Sequence, residues 1–212
     1  HLNLNIYFMK YLKTFESVNR KKILIIIDVQ KSFKKHFTNK YINELKKYCN
    51  KFDKVIQIWD NHIDGKVNKN YLYDKDPDIP VHSDLYHFPN QTEIIEKRYN
   101  YNVKVDFYKD ILDNEIYNKI KKLEKNNKLK KGDLFKTNKD TAIVYIGNNH
   151  KWFQIPKKLF KCLSNIKNEE VVITGGSGKE CLEDVYISAK SLGIDIKKND
   201  NYIYSGGKCP IE

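Results

Sequence analysis

Glu170 to Gly193 reads EVVITGGSGKECLEDVYISAKSLG, and this stretch decides the fold class. Val171, Val172 and Ile173 form a short β-branched run, the pattern of a strand buried on both faces. Gly175, Gly176, Ser177 and Gly178 follow as a turn in which a missing Cβ permits close backbone approach. A helical pattern comes next, with Leu182, Val185, Tyr186, Ala189 and Leu192 on one side and Gly193 as its stop. Cys181 falls in the first turn of that helix. Free N–H groups and the positive end of the helix dipole favour a thiolate there, and the thiolate is the nucleophilic form. A cysteine beside a buried strand is equally at home as a small core residue, so this stretch alone leaves both roles open.

Working outward, Lys22 to Asp28 (KILIIID) is a second apolar strand, ending in a carboxylate, with Gln30 and Phe33 just beyond it. Thr38 is placed to cap a helix over Tyr41 to Asn50 with Ile42, Leu45 and Tyr48 inward. Val55 to Trp59 is a strand ending in another acid, Asp60, with His62 two residues on; Thr92 to Lys97 is a weaker strand ending in a lysine. Between them, Asn61 to Gln91 shows little periodicity and reads as a long loop bearing His82 and His87. Asp106 to Lys125 reads as one helix. Leu134–Phe135, Ala142–Ile146 and Trp152–Ile155 read as short strands joined by turns, and Pro156 opens a helix through Leu163. Ile194–Ile196 and Tyr202–Tyr204 read as two final strands.

Alternating strands and helices imply an α/β fold, three-layer and Rossmann-like, with a mostly parallel central sheet and helices on both faces. Ligands of such sheets bind outside the carboxyl ends of the strands. Asp28, Asp60, Lys97 and Cys181 each follow a strand at that end. An acid, a lysine and a thiol at one edge make a nucleophile set: Asp28 to take the thiol proton, Lys97 to favour the thiolate and orient the carboxylate.

The 212 residues suffice for one sizeable core. Residues 21–212 read as one domain with an extra hairpin segment around 134–155. Residues 1–20 read as an N-terminal extension, of which His1 to Phe8, ahead of the single methionine Met9, read as an added remnant. The net charge of +12 raises the question of nucleic acid, but the lysines are spread along the whole chain rather than gathered, so no nucleic-acid partner is expected. No apolar run approaches a membrane span, and no membrane association is expected. The four cysteines Cys49, Cys162, Cys181 and Cys209 form no CxxC pair, which suits a reducing, cytoplasmic setting.

The motifs IIIDVQKSF, IWDNH, IPVH, IIEK and ITGGSGKECLEDV, in that order from Ile25 to Val185, resemble the isochorismatase-like cysteine hydrolases, most closely their nicotinamidase branch. The resemblance implies a catalytic triad of Asp28, Lys97 and Cys181, and hydrolysis of nicotinamide or a similar small amide through a thioester. It also implies a divalent metal on Asp60, His62 and His82, zinc first and iron or manganese next; His87 is a second candidate for the third ligand. It implies an oxyanion hole of the Ser177 and Cys181 amides beside a cis Gly176–Ser177 bond. Phe33, Trp59 and Phe107 are candidates to wall a planar substrate, and each is equally a core residue. The partner expected is thus a small-molecule amide, with a homo-oligomer as a further possibility. Two alternatives are a related hydrolase of another amide or carbamoyl compound and a basic binding protein on the same fold without activity.

Overall fold

The computed structural model describes residues 20–60, 85–97, 104–147, 152–206 and 208–211. Its centre is a five-stranded sheet of β1 (Lys22–Ile27), β2 (Lys54–Asp60), β3 (Gln91–Lys97), β7 (Glu170–Gly175) and β8 (Ile196–Ile203). The order is β3-β2-β1-β7-β8, and every pairing is parallel. The chain steps outward from β1 to β3 and then restarts on the other side at β7. The order therefore reverses between β1 and β7, the place where α/β sheets open a crevice at their carboxyl ends.

β1 has apolar side chains on both faces because both are covered. Ile23, Ile25 and Ile27 join one buried cluster, and Leu24 and Ile26 join another. On the Leu24 side lies α1 (Asn39–Cys49), which buries Tyr41, Ile42, Leu45 and Cys49. Thr38 caps it as expected, its Oγ1 accepting from the Tyr41 amide at 3.1 Å. On the Ile25 side lie α3 (Lys157–Asn165), through Leu159, Cys162 and Leu163, and α4 (Cys181–Ser191), through Leu182, Val185 and Ala189. The expected α/β architecture with a parallel sheet and helices on both faces is present.

The 134–155 segment is a three-stranded antiparallel sheet of β4 (Leu134–Lys136), β5 (Ala142–Tyr145) and β6 (Trp152–Ile155). Ala142, Val144, Phe153 and Ile155 join the main core. Ile143 and Trp152, on its other face, pack with Val105, Tyr108, Ile111 and with Ile120 of α2 (Asn114–Lys125).

Two expectations are corrected. Asp106 to Lys125 is not one helix: a 3₁₀ segment over Val105–Ile111 ends at Leu112, and α2 begins at Asn114 after Asp113. Tyr108, Leu112, Ile116 and Ile120 keep a four-residue helical spacing, but the backbone is extended at Leu112 and Asp113, and Val105, Tyr108, Ile111 and Leu112 pack together with Ile120, Ile143 and Trp152. The final strands are one, β8, which pairs with β7 from Ile196 to Lys198 and again at Ile203 after a register shift. As an edge strand it tolerates the polar run KKNDN that breaks the apolar pattern. Among the described residues no helix is long and apolar enough to cross a membrane.

Candidate active site

Four strand ends meet at the switch point. Asp28 follows β1 with a φ of 51°, a left-handed turn uncommon outside glycine but several-fold enriched for Asp and Asn. Its amide donates to Ile58 of β2 at 2.8 Å, so the reversal stays tied to the sheet. Asp60 ends β2, pairs in register with Lys97 at the end of β3, and is held by Gln30. The Gln30 amide group donates to the Asp60 carbonyl at 3.0 Å and accepts from the Asp60 amide at 3.1 Å. Cys181 is the first residue of α4, beyond the glycine turn that follows β7.

The side chains converge as the sequence suggests. Lys97 Nζ lies 3.0 Å from Asp28 Oδ2 and 3.3 Å from Asp60 Oδ2, and all three side chains are 1–2% exposed. Cys181 is 9% exposed, and its sulfur lies within 4.8 Å of a carboxylate oxygen of Asp28 and of Asp60. Burying three ionisable groups is costly unless they compensate one another. Here one ammonium serves two carboxylates. Burial raises the Asp28 carboxyl to about 6, with the Lys97 charge lowering it and the Asp60 charge raising it. Lys97 is held well above its ordinary value: burial opposes its charge, and Asp28, Cys181 and Asp60 together override burial. Burial pushes the Cys181 thiol up, against the pull of Lys97. Near neutral pH the site therefore holds a thiol beside an ionised carboxylate and a fixed ammonium, ready for proton transfer rather than standing as a free thiolate.

The turn before Cys181 is equally defined. Gly175 has a φ of 99°, and a Cβ there would run into the Ile27 carbonyl. The Gly176 amide donates to that carbonyl at 2.9 Å, and the Gly176–Ser177 peptide is cis, at the position that the resemblance implies. The Ser177 carbonyl accepts from Glu180 and Leu182, while among the described residues the Ser177 and Cys181 amides donate no backbone hydrogen bond.

The sulfur and carboxylate oxygens of Asp28, Asp60 and Cys181 lie within 4.8 Å of one another, close enough to hold a metal ion. The Lys97 ammonium already stands 3.0 and 3.3 Å from the two carboxylates, so the positive charge at that spot is the protein's own. His62 and His82 lie outside the described residues. His87 is exposed and joins no cluster of ligand-type side chains among them. Trp59 is buried directly before Asp60. Phe33 packs on the α1-side cluster and Phe107 on the hairpin cluster beside Tyr108, so these two belong to different apolar groups.

Two residues that hold the site carry no sequence signal of that role. In the sequence Gln30 stands only as part of a motif and Tyr204 only as a strand residue; the Tyr204 phenol donates to the Asp28 carbonyl at 2.7 Å. No local signal marks a tyrosine 176 positions away from its acceptor. In comparisons with known proteins, no family model, no curated protein and no solved structure matches the chain.

Proposed function

We propose that the chain is a cysteine-dependent amidohydrolase of the isochorismatase-like kind, nearest the nicotinamidases, acting on a small planar amide. The observation that supports it is the buried Lys97 ammonium 3.0 Å from Asp28, with both groups against a cysteine at a helix N-terminus. Such a set has a nucleophile, a base and a group that fixes their charges.

In this reading Asp28 takes the Cys181 proton as sulfur attacks the amide carbon. The oxygen, now anionic, is held by the Ser177 and Cys181 amides. As the C–N bond breaks, Asp28 returns the proton to the departing nitrogen, and ammonia leaves a thioester on Cys181. Water then gives a proton to Asp28 and attacks the thioester, and the acid departs as the thiol regains that proton. Lys97 stays protonated throughout and keeps Asp28 oriented. A divalent metal, if one is held by Asp60, His62 and His82, would bind the ring nitrogen of a pyridine amide; of these residues the structure describes Asp60 alone. Of the three aromatic candidates, Trp59, directly before Asp60, is the proposed ring contact, whereas Phe33 and Phe107 sit in separate apolar clusters.

Ammonia release from a panel of small amides, nicotinamide first, tests this. Turnover that disappears in Cys181→Ala is expected. A native protein that releases no ammonia from any planar amide would sink the amidase reading and favour hydrolysis of a different bond or a binding role.

A further inference from the structure

Tyr204 stands one residue past β8, away from every triad residue in sequence, yet it touches both halves of the site. Its phenol donates to the Asp28 carbonyl at 2.7 Å. Its amide donates to the Gly175 carbonyl at 3.0 Å, and its own carbonyl accepts from the Gly178 amide at 3.0 Å. The backbone of Tyr204 thus brackets the turn that carries Ser177, and its side chain ends on the loop that carries the base. The ring lies flat against Gly176: a Cβ there would fall inside contact distance of three ring carbons. Phe37 at 5.4 Å and Tyr41, edge-on at 6.3 Å, wedge the ring from the α1 side, leaving it 3% exposed. Burial holds the phenol well above its ordinary value, so it remains a donor.

Geometry makes the consequence specific. Asp28 occupies a left-handed turn, where its carboxylate direction depends on how that one peptide is held. The Asp28 carbonyl receives only two backbone-directed bonds among the described residues, from the Gln30 amide at 3.1 Å and from Tyr204. The first is local and moves with the loop. The second is fixed to the glycine turn.

We propose that Tyr204 is a positioning residue, which locks the Asp28 loop to the Gly175–Gly178 turn so that base, thiol and oxyanion amides share one rigid frame. The role rests on Cys181 being the nucleophile and Asp28 its base. Misplacement of a reacting group by about 1 Å can cost on the order of 10²-fold in rate, so a lock of this kind acts on rate more than on folding.

Tyr204→Phe keeps the ring and removes one hydroxyl. Cys181 alkylation by iodoacetamide at fixed pH, scored per folded molecule by circular dichroism, is expected to slow at least tenfold. For any amide turned over, kcat should fall likewise, with KM within twofold. Ile120→Ala, in the hairpin cluster, should lower Tm without slowing alkylation, which separates positioning from general loosening. 3-Fluorotyrosine placed at 204 keeps ring and donor and should match the native rate. Alkylation of Tyr204→Phe within twofold of native would overturn the proposal, as would a fluorotyrosine protein as slow as Tyr204→Phe. A Tyr204→Phe chain that cannot fold would also overturn it, making the hydroxyl a core strut. If native Cys181 alkylates no faster than Cys49, the nucleophile reading itself has failed. If native Cys181 is fast but no amide is hydrolysed, only the amidase reading has failed.

Discussion

Lys97 and Asp28 form a buried ion pair, Nζ to Oδ2 3.0 Å, although their strands β3 and β1 are separated in the sheet by β2. The lysine crosses over the end of β2, and there it meets Asp60 at 3.3 Å. Lys97 is thereby the common counter-ion of two carboxylates that would otherwise repel, and its loss has a thermodynamic as well as a chemical consequence.

Replacing Lys97 by Ala leaves two acids buried without their cation. Breaking one side of a buried pair costs about 3–5 kcal/mol, so Lys97→Ala should lose much of its stability in denaturant titrations and lose turnover by a factor similar to that of Asp28→Asn. Asp28→Asn should lose rate on the order of 10⁴-fold with its fold retained. The double variant should be little slower than either single one, because the groups act as a unit on one thiol. Effects that multiply would show that they act separately.

Cysteine mapping has an internal control. Cys162 has a carboxylate and a lysine beside it, Glu93 and Lys54, as Cys181 has Asp28 and Lys97, but it sits inside α3 rather than at a helix start after a glycine turn. Burial pushes both Cys49 and Cys162 up to about 12. Mass-spectrometric mapping of iodoacetamide adducts at pH 7.5 should find Cys181 modified first among the three. Modification of Cys162 at an equal rate would mean that an acid and a lysine suffice, without the helix start and glycine turn.

The pH profile follows from Asp28. Its carboxyl titrates at about 6, and only the ionised form accepts a proton. The value of kcat/KM should therefore fall as pH drops through 6 and level off above 7. Asp60→Asn removes the charge that raises Asp28, so the acidic limb should move downward. A limb that stays in place, or moves up, would mean that Asp28 is not the group being titrated.

Gly175→Ala should be among the most damaging substitutions in the chain. Its φ of 99° disfavours any side chain, and the new Cβ would strike the Ile27 backbone, which cannot swing aside as a side chain would. Thermal melts should show a fall in Tm well beyond that of Gly206→Ala, whose surroundings are open.

The metal expectation is tested by chelation. His62→Ala and His82→Ala should each raise KM for nicotinamide while Cys181 alkylation continues at the native rate, and a chelator should copy them. Active protein without metal by elemental analysis, and indifferent to chelator, would remove the metal from the reading.

The sequence by itself determined the strands β1, β2, β3 and β7, their order along the chain and the end of the sheet at which the two acids and the lysine lie. Runs such as KILIII and VVIT are long enough in β-branched residues to be strands only if covered on both faces, and a parallel sheet with helices on both sides follows from that demand. The acid, lysine and cysteine at strand ends were legible for the same reason: a polar residue that closes an apolar run lies at the edge of the sheet. Tertiary structure decided what no local pattern encodes. The sharing of Lys97 between Asp28 and Asp60 depends on β2 lying between β1 and β3, and pairing order is a property of the assembled sheet. The break at Leu112 and Asp113 and the slip within β8 were set by packing that overrode helical continuity and strand periodicity. Tyr204 reaches Asp28 only because β8 runs beside β7 and delivers its end to the glycine turn, so a hydroxyl 176 positions away completes the loop that holds the base.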